Sequence, residues 1–157
     1  MNLRGELFNR IDIKVTEWMS RNGLPILRIS VGLIFVWFGG LKFAEGMSPA
    51  QDLAIRTIQQ LSFNLVPEKT IIIGLAIWEV AIGIGLIFKL FLRETLLLLF
   101  LQMLGTFTPV FLFPNEVFVQ FPLALTFEGQ YIFKNLVIVG AAIVLGATVR
   151  GGRLTVT

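Results

Sequence analysis

Three ionisable residues lie within long apolar stretches of this 157-residue chain: Arg28, Glu79 and Lys134. On membrane-insertion scales, a charged side chain at the centre of a bilayer costs about 2.5–3.5 kcal/mol, so each must be paired, hydrated or able to reach the surface. Glu79 combines a short side chain with the deepest estimated position. We predict that it meets Arg28 or Lys134 inside a helix bundle. A purely structural hydrogen bond between helices is the alternative.

Further polar candidates lie in the third apolar stretch. Gln102 and Thr106 are one helical turn apart and near the estimated depth of Glu79, and Thr108 is followed by Pro109. A proline within a membrane helix frees a backbone carbonyl and usually kinks the helix. We include these residues as candidates for a buried polar or ligand-binding site, with Pro109 at its wall.

Two tryptophans and one further lysine complete the candidates. Trp37 and Trp78 lie too deep in their stretches to anchor at a membrane surface, so we expect them to line the interior of the bundle. Lys42 lies near the end of its stretch. We expect its long side chain to carry the ammonium group to the lipid headgroups.

Composition indicates that lipid is the main solvent of this chain. Apolar residues make up 55% of it and charged residues 15%, against about 25% charged in ordinary soluble domains. The chain has no histidine and no cysteine, which excludes a disulfide, a thiolate nucleophile, and haem or iron–sulfur clusters held by imidazole or thiolate. We expect no metal site. A net charge of +3 without a basic block gives no support for nucleic-acid binding.

Four apolar stretches are long enough to cross a bilayer as helices, which takes about 20 residues. They cover residues 24–43, 70–88, 95–113 and 131–149. None shows the period-two alternation of barrel strands. The sequence therefore predicts an all-α membrane protein, a four-transmembrane-helix bundle forming a single domain over 1–157. The distribution of lysine and arginine predicts that both termini are cytoplasmic.

Two amphipathic helices are expected outside the spans. Leu7–Arg21 places apolar side chains on one face, which is typical of a helix lying at the cytoplasmic interface. A helix covering the end of the bundle is the alternative. In the first outer loop, Ser48-Pro49-Ala50-Gln51 has the pattern of a capping box with proline at the first helical position. A short amphipathic helix is expected to follow it.

Short motifs recur in order along the four stretches. Leu27-Arg28-Ile29-Ser30 and Leu41-Lys42-Phe43 lie in the first, Trp78-Glu79-Val80 in the second, Thr108-Pro109 in the third, and Tyr131-Ile132-Phe133-Lys134-Asn135 opens the fourth. Together they resemble the DoxX-like superfamily of small four-helix membrane proteins, closest to its YkgB (RclC) type. The resemblance implies a multi-pass protein of the bacterial inner membrane and adds Asn135 to the candidate site residues. The chain is shorter than YkgB-type proteins in its outer loops.

The resemblance implies function only loosely, because relatives include a subunit of thiosulfate:quinone oxidoreductase, a protein tied to reactive chlorine stress, and assembly chaperones. Our first hypothesis is an accessory or quinone-handling subunit of a membrane redox or oxidative-stress system. In it, Arg28 and Lys134 donate hydrogen bonds to a non-covalently bound quinone, and Glu79 exchanges a proton. The alternative is a non-enzymatic assembly or scaffold subunit, and a third hypothesis is a small transporter or proton path that uses Glu79. The expected partners are the lipid bilayer and either another membrane subunit or further copies of the chain.

Overall fold

The computed structural model describes residues 3–44, 46–48, 50–152 and 154–155, with side chains from residue 8 onwards. Most of these residues are helical, and a short antiparallel hairpin interrupts the helices late in the chain. In chain order the elements are α1 (Leu3–Leu41), α2 (Gln51–Leu61), α3 (Glu68–Phe88), α4 (Leu92–Phe107), α5 (Pro109–Leu112), α6 (Pro114–Val117), β1 (Phe118–Gln120), β2 (Ala124–Leu125), α7 (Phe127–Lys134) and α8 (Leu136–Ala147), followed by a 3₁₀ turn, Val149–Gly151.

Four helical stretches of the described chain are long and apolar enough to cross a membrane. They are Phe8–Leu41, Glu68–Phe88, Leu92–Leu112 and Phe127–Ala147. Each overlaps one predicted span. The prediction of four helices with the length and hydropathy of membrane spans is therefore confirmed. The third stretch combines α4 with α5, and the fourth combines α7 with α8.

Successive spans run in opposite directions, so the connections collect at two ends of the bundle. The C-terminal end of α1, the N-terminal end of α3, α2, α6 and the hairpin lie at one end, which we call the α2 end. The turn between α3 and α4 lies at the other end, and Lys89 and Phe91 adopt positive φ there, at 58° and 41°. This turn joins two spans with only three residues between the helices.

α1 differs from the prediction because it is one continuous helix of 39 residues. The expected N-terminal amphipathic helix is therefore not a separate element. Pro25 lies inside α1 and has no backbone N–H to donate, yet the helix continues through it. One turn earlier, the Asn22 side chain donates to the carbonyl of Trp18 at 2.8 Å. Every side chain from Phe8 to Arg21 is exposed, so this part of α1 does not cover the end of the bundle.

Glycines allow α1 and α3 to pack closely against each other. A Cβ atom added to Gly83 would lie 2.6 Å from Val36 Cγ2 and 2.7 Å from the carbonyl oxygen of Gly32. One added to Gly39 would lie 2.9 Å from Glu79 Cβ. Such contacts are typical of membrane helices that meet through small residues. The main core then joins α1 and α3 to α4 and α8, through Val31, Phe35, Ile82, Leu86, Leu96, Leu99, Met103, Ala141, Ala142 and Leu145.

α2 is fixed to the bundle by a second, smaller core and by an ion pair. The core joins α2 to α6, the hairpin and α7, through Leu53, Val117, Phe118 and Ile132. On the exposed side, Arg56 donates from both terminal nitrogens to the carboxylate of Glu116, with Nη1 and Oε1 2.6 Å apart. Hydrogen bonding to Glu116 raises the pKa of Arg56 above its usual range.

The first loop contains a helix, but α2 does not begin with the predicted capping box. It begins after Ala50, whose φ is 55°, and no side chain caps it. Ser48 Oγ has no hydrogen-bond partner among the described residues, and Pro49 lies outside those residues.

Candidate functional site

An ion pair between two spans forms the centre of the site. The ammonium group of Lys42, the residue that follows α1, donates to Glu79 Oε2 on α3 at 2.6 Å. The Gln102 amide, on α4, donates to Glu79 Oε1 at 2.8 Å. Both charged side chains are nearly enclosed, each with 12% of its surface exposed. Each oxygen of the Glu79 carboxylate therefore has a donor, which is what a buried charge requires.

The prediction that Glu79 meets Arg28 or Lys134 is wrong. Arg28 lies toward the opposite end of α1, where it donates to the carbonyl oxygens of Leu86 and Ile87, the latter at 2.7 Å. Lys134 is exposed, and its ammonium lies 5.4 Å from the centre of the Tyr131 ring.

The register between α1 and α3 explains this change of partner. Gly39 packs directly on Glu79, and Lys42 follows it by less than one turn. At about 1.5 Å per residue, Arg28 is about 16 Å from Gly39 along the helix axis, beyond the reach of its side chain. Lys42 instead directs its long side chain inward, to Glu79, and not outward to the membrane surface. The alternative considered for Glu79 was a hydrogen bond between helices. Glu79 accepts such a bond from Gln102 of α4 and also forms the ion pair with Lys42.

The remaining polar candidates divide between the site and the rest of the bundle. Thr106 lines the same cavity as Glu79, and its hydroxyl donates to the carbonyl of Gln102 at 2.9 Å. Asn135, at the junction of α7 and α8, also lines it, and Pro109 forms part of the wall. Thr108 does not line the cavity, and its hydroxyl donates to the carbonyl of Leu104.

Neither tryptophan lines the cavity as predicted. Trp37 is on the outside of the bundle, with 71% of its surface exposed. Trp78 is 38% exposed and donates from its indole nitrogen to the carbonyl of Leu98 at 3.2 Å. Both are adjacent in sequence to residues that line the cavity, Phe38 and Glu79, so the prediction placed each tryptophan on the wrong face of its helix.

A cavity of about 250 Å³ opens beside the ion pair. Its walls are mostly apolar and come from α1, α3, α4, α7 and α8, while α2 covers it at the α2 end. The polar side chains around it include Lys42, Glu79, Gln102, Ser48, Gln51 and Asn135. Among the described residues, Ser48 Oγ and Gln51 Oε1 are buried without a hydrogen-bond partner. The composition of this lining is that of a small-molecule site, apolar with a few polar groups.

Sequence reasoning missed two parts of the site: Lys42 as the partner of Glu79, and α2 as its cover. The signal for the first was the spacing of Lys42 from Gly39, since a glycine that admits a neighbouring helix also sets which residues lie level with each other.

No group of acidic residues that could hold a metal is present in the part of the chain the structure describes. No protein-family model, no curated protein and no solved structure matches this chain.

Proposed function

We propose that this chain is a DoxX-like, multi-pass protein of the bacterial inner membrane that holds a quinone for a membrane redox or oxidative-stress system, as an accessory subunit. The observation that carries the proposal is the buried group of Lys42, Glu79 and Gln102 on the wall of an otherwise apolar cavity. A site with one charged pair, one amide and apolar walls suits a ring with polar atoms at its edge.

The hydrogen-bonding capacity of the site fits a quinone head. Lys42 carries three N–H donors and gives one of them to Glu79. Two donors remain for carbonyl oxygens of a ligand, and quinone carbonyls accept hydrogen bonds. Apolar side chains such as Phe35, Leu75 and Ile138 line the rest of the cavity. These surfaces suit the faces of an aromatic or quinonoid ring.

The accessory role follows from the residue types of the chain, which determine whether its side chains can transfer electrons as well as protons. Reduction of a quinone to a quinol takes two electrons and two protons. Since the chain has no histidine or cysteine, we assign the electron carrier to a partner subunit. The contribution of this chain is to bind and orient the quinone and to exchange protons at Lys42 and Glu79.

The orientation is part of the same proposal. Lys89 and Arg93 lie at the turn between α3 and α4, and the N-terminal part of α1 carries further basic residues. The positive-inside rule therefore favours a cytoplasmic location for that end. The α2 end and the opening of the site then belong to the outer half of the membrane.

A matched pair of double variants tests binding. Lys42→Met/Glu79→Gln removes both charges at nearly constant volume, so no unpaired charge stays buried. Glu68→Gln/Lys69→Met makes the same chemical changes at two exposed residues of α3. We expect the first to weaken binding of a short-tailed benzoquinone about tenfold or more in detergent titrations, since a hydrogen bond from a charged group contributes about 1.5–3 kcal/mol. The second should bind as the wild type does, and equal affinity in both variants contradicts the proposal.

An assembly or scaffold role is the second candidate. Gly74 and Gly140 lie within spans and have no heavy atom within 4 Å of the position a Cβ would take. Open small-residue surfaces of this kind favour the close approach of a partner helix. A stoichiometric partner in native mass spectrometry, together with no quinone binding by the wild type, would favour this role over the first.

A further inference from the structure

We infer that the ligand of the cavity is a membrane-resident amphiphile that enters sideways, through a window between α1 and α8, and leaves its apolar tail in that window. The inference rests on the proposed function for the polar head. Beyond that function, we assign the route by which the ligand enters, a requirement that the ligand has an apolar tail, and the side chains that contact this tail.

The size of the cavity is the first observation. Its volume of about 250 Å³ is below the about 300–1,000 Å³ that is usual for sites enclosing a whole drug-sized ligand. A single ring with its substituents fits a space of this size. A chain of ten or more carbon atoms does not fit beside it, so the tail of a lipid-soluble ligand must lie outside the cavity.

The direction of the opening follows from the faces of α1. At about 100° per residue, Gly32 and Gly39 point toward α3, and Ile34 and Phe38 point well away from it. Ile34 and Phe38 nevertheless line the cavity, and they are also 42% and 37% exposed. A side chain that borders the cavity and the outside at once marks the edge of an opening.

The partner helix on that side separates from α1 where the opening lies. Toward the opposite end, Leu27 and Val31 of α1 share one core with Ala142 and Leu145 of α8. Toward the α2 end, the fourth span continues past Asn135 as α7, and α7 packs on α4, α6 and β2. The seam between α1 and α8 is therefore closed in one half of the bundle and open in the half that contains Lys42 and Glu79.

The side chains around the opening match an alkyl or isoprenoid tail. Ile34, Phe38, Ile138 of α8 and Leu61 at the end of α2 are all apolar, and all four border the cavity. Leu61 is 55% exposed. The polar group lies deeper, at Lys42 and Glu79, so a ligand entering here has its head inside and its tail among the lipid chains.

Narrowing the window tests this inference. Ile34→Trp places a large side chain at its edge, and Leu33→Trp is the matched control, because Leu33 is 56% exposed on the same helix but does not line the cavity. Two probes are titrated against each purified variant: a benzoquinone with a decyl tail, and the same ring with a methyl group in place of the tail. Thermal unfolding checks that both variants fold.

We expect Ile34→Trp to weaken binding of the decyl probe at least tenfold, and to change binding of the methyl probe less than twofold. Leu33→Trp should bind both probes as the wild type does. Equal loss of both probes, or no loss of the decyl probe, overturns the window while leaving the head site in place. A wild-type protein that binds neither probe overturns the proposed function and this inference with it.

Discussion

At the scale of single residues, Glu79 sets the conditions that the rest of the site must meet. Its carboxylate lies in the interior of the bundle, where an unpaired charge is far less stable than in water. The structure satisfies it with one cation and one amide, from two different helices. The interaction between Lys42 and Glu79 also closes α1 onto α3 at the α2 end. The two residues are therefore coupled both for stability and for ligand binding.

This coupling predicts the effect of single and double substitutions. Lys42→Met leaves the Glu79 carboxylate buried without its cation, and breaking a buried pair in this way costs up to about 3–5 kcal/mol in proteins. We expect the midpoint of thermal unfolding in detergent to fall by several degrees in Lys42→Met. The double variant Lys42→Met/Glu79→Gln should recover most of the loss. Lys134→Met, an exposed lysine, is the control and should unfold as the wild type does. Equal midpoints for Lys42→Met and Lys134→Met would show that the pair is not coupled to stability.

The sequence alone identified Glu79 but could not identify its partner. The cost of a charge at mid-membrane depends on residue type and depth, and both can be estimated from one span. The partner depends on how two spans are aligned along their axes, which glycine contacts such as Gly39 on Glu79 decide. The face that Trp37 presents depends on the same contacts. For this reason the sequence could not predict the partner of Glu79 or the face of Trp37.

At the scale of helices and loops, α1 and α3 form the closest pair, and their contact depends on residues without side chains. Gly83→Ala would bring a methyl group to within 2.7 Å of the Gly32 carbonyl oxygen, which is backbone and cannot move aside cheaply. We expect a loss of about 1–3 kcal/mol, typical of overpacking. Gly140→Ala is the matched control, since it adds the same methyl group to α8 where nothing lies within 4 Å. If Gly83→Ala proves no less stable than Gly140→Ala in thermal unfolding, the close packing of α1 on α3 is wrong.

The contact between α2 and α6 gives a second prediction at this scale. Arg56→Gln removes an ion pair that is half exposed, and such pairs stabilise proteins by less than about 1 kcal/mol. The unfolding midpoint should therefore change little. Amide hydrogen exchange in α2 should rise, because Glu116 no longer fixes that helix from the exposed side. The exchanged pair Arg56→Glu/Glu116→Arg should restore the slow exchange. Unchanged exchange in Arg56→Gln would mean that the small apolar core alone fixes α2.

Element boundaries were predictable where hydropathy sets them and not where local contacts do. The second, third and fourth spans begin and end within four residues of the prediction, because the length of an apolar stretch determines them, whereas the first helical stretch begins at Phe8 and not at residue 24. The continuity of α1 through Pro25 was not predictable, since a proline is compatible with either a break or a helix. The hairpin of β1 and β2 has strands of three and two residues. Strands this short carry no alternation that could be recognised.

At the scale of the whole molecule, the proposed orientation makes a labelling prediction. The chain has no cysteine, so a single introduced cysteine reports its own location. Phe63 follows α2 and is 84% exposed, and Phe91 lies in the turn between α3 and α4 and is 81% exposed. We expect a membrane-impermeant maleimide to label Phe63→Cys in intact spheroplasts, and Phe91→Cys only after the membrane is opened. The reverse pattern would invert the orientation and place the site in the inner half of the membrane.

The central claim is that a polar site inside the bundle holds a lipid-soluble quinone through Lys42 and Glu79. The most direct measurement is mass spectrometry of the small molecules that remain bound after extraction into lipid nanodiscs. We predict quinone in near-stoichiometric amount with the wild type and with Glu68→Gln/Lys69→Met, and about tenfold less with Lys42→Met/Glu79→Gln. Quinone that is absent from the wild type, or present equally in all three proteins, would contradict the claim.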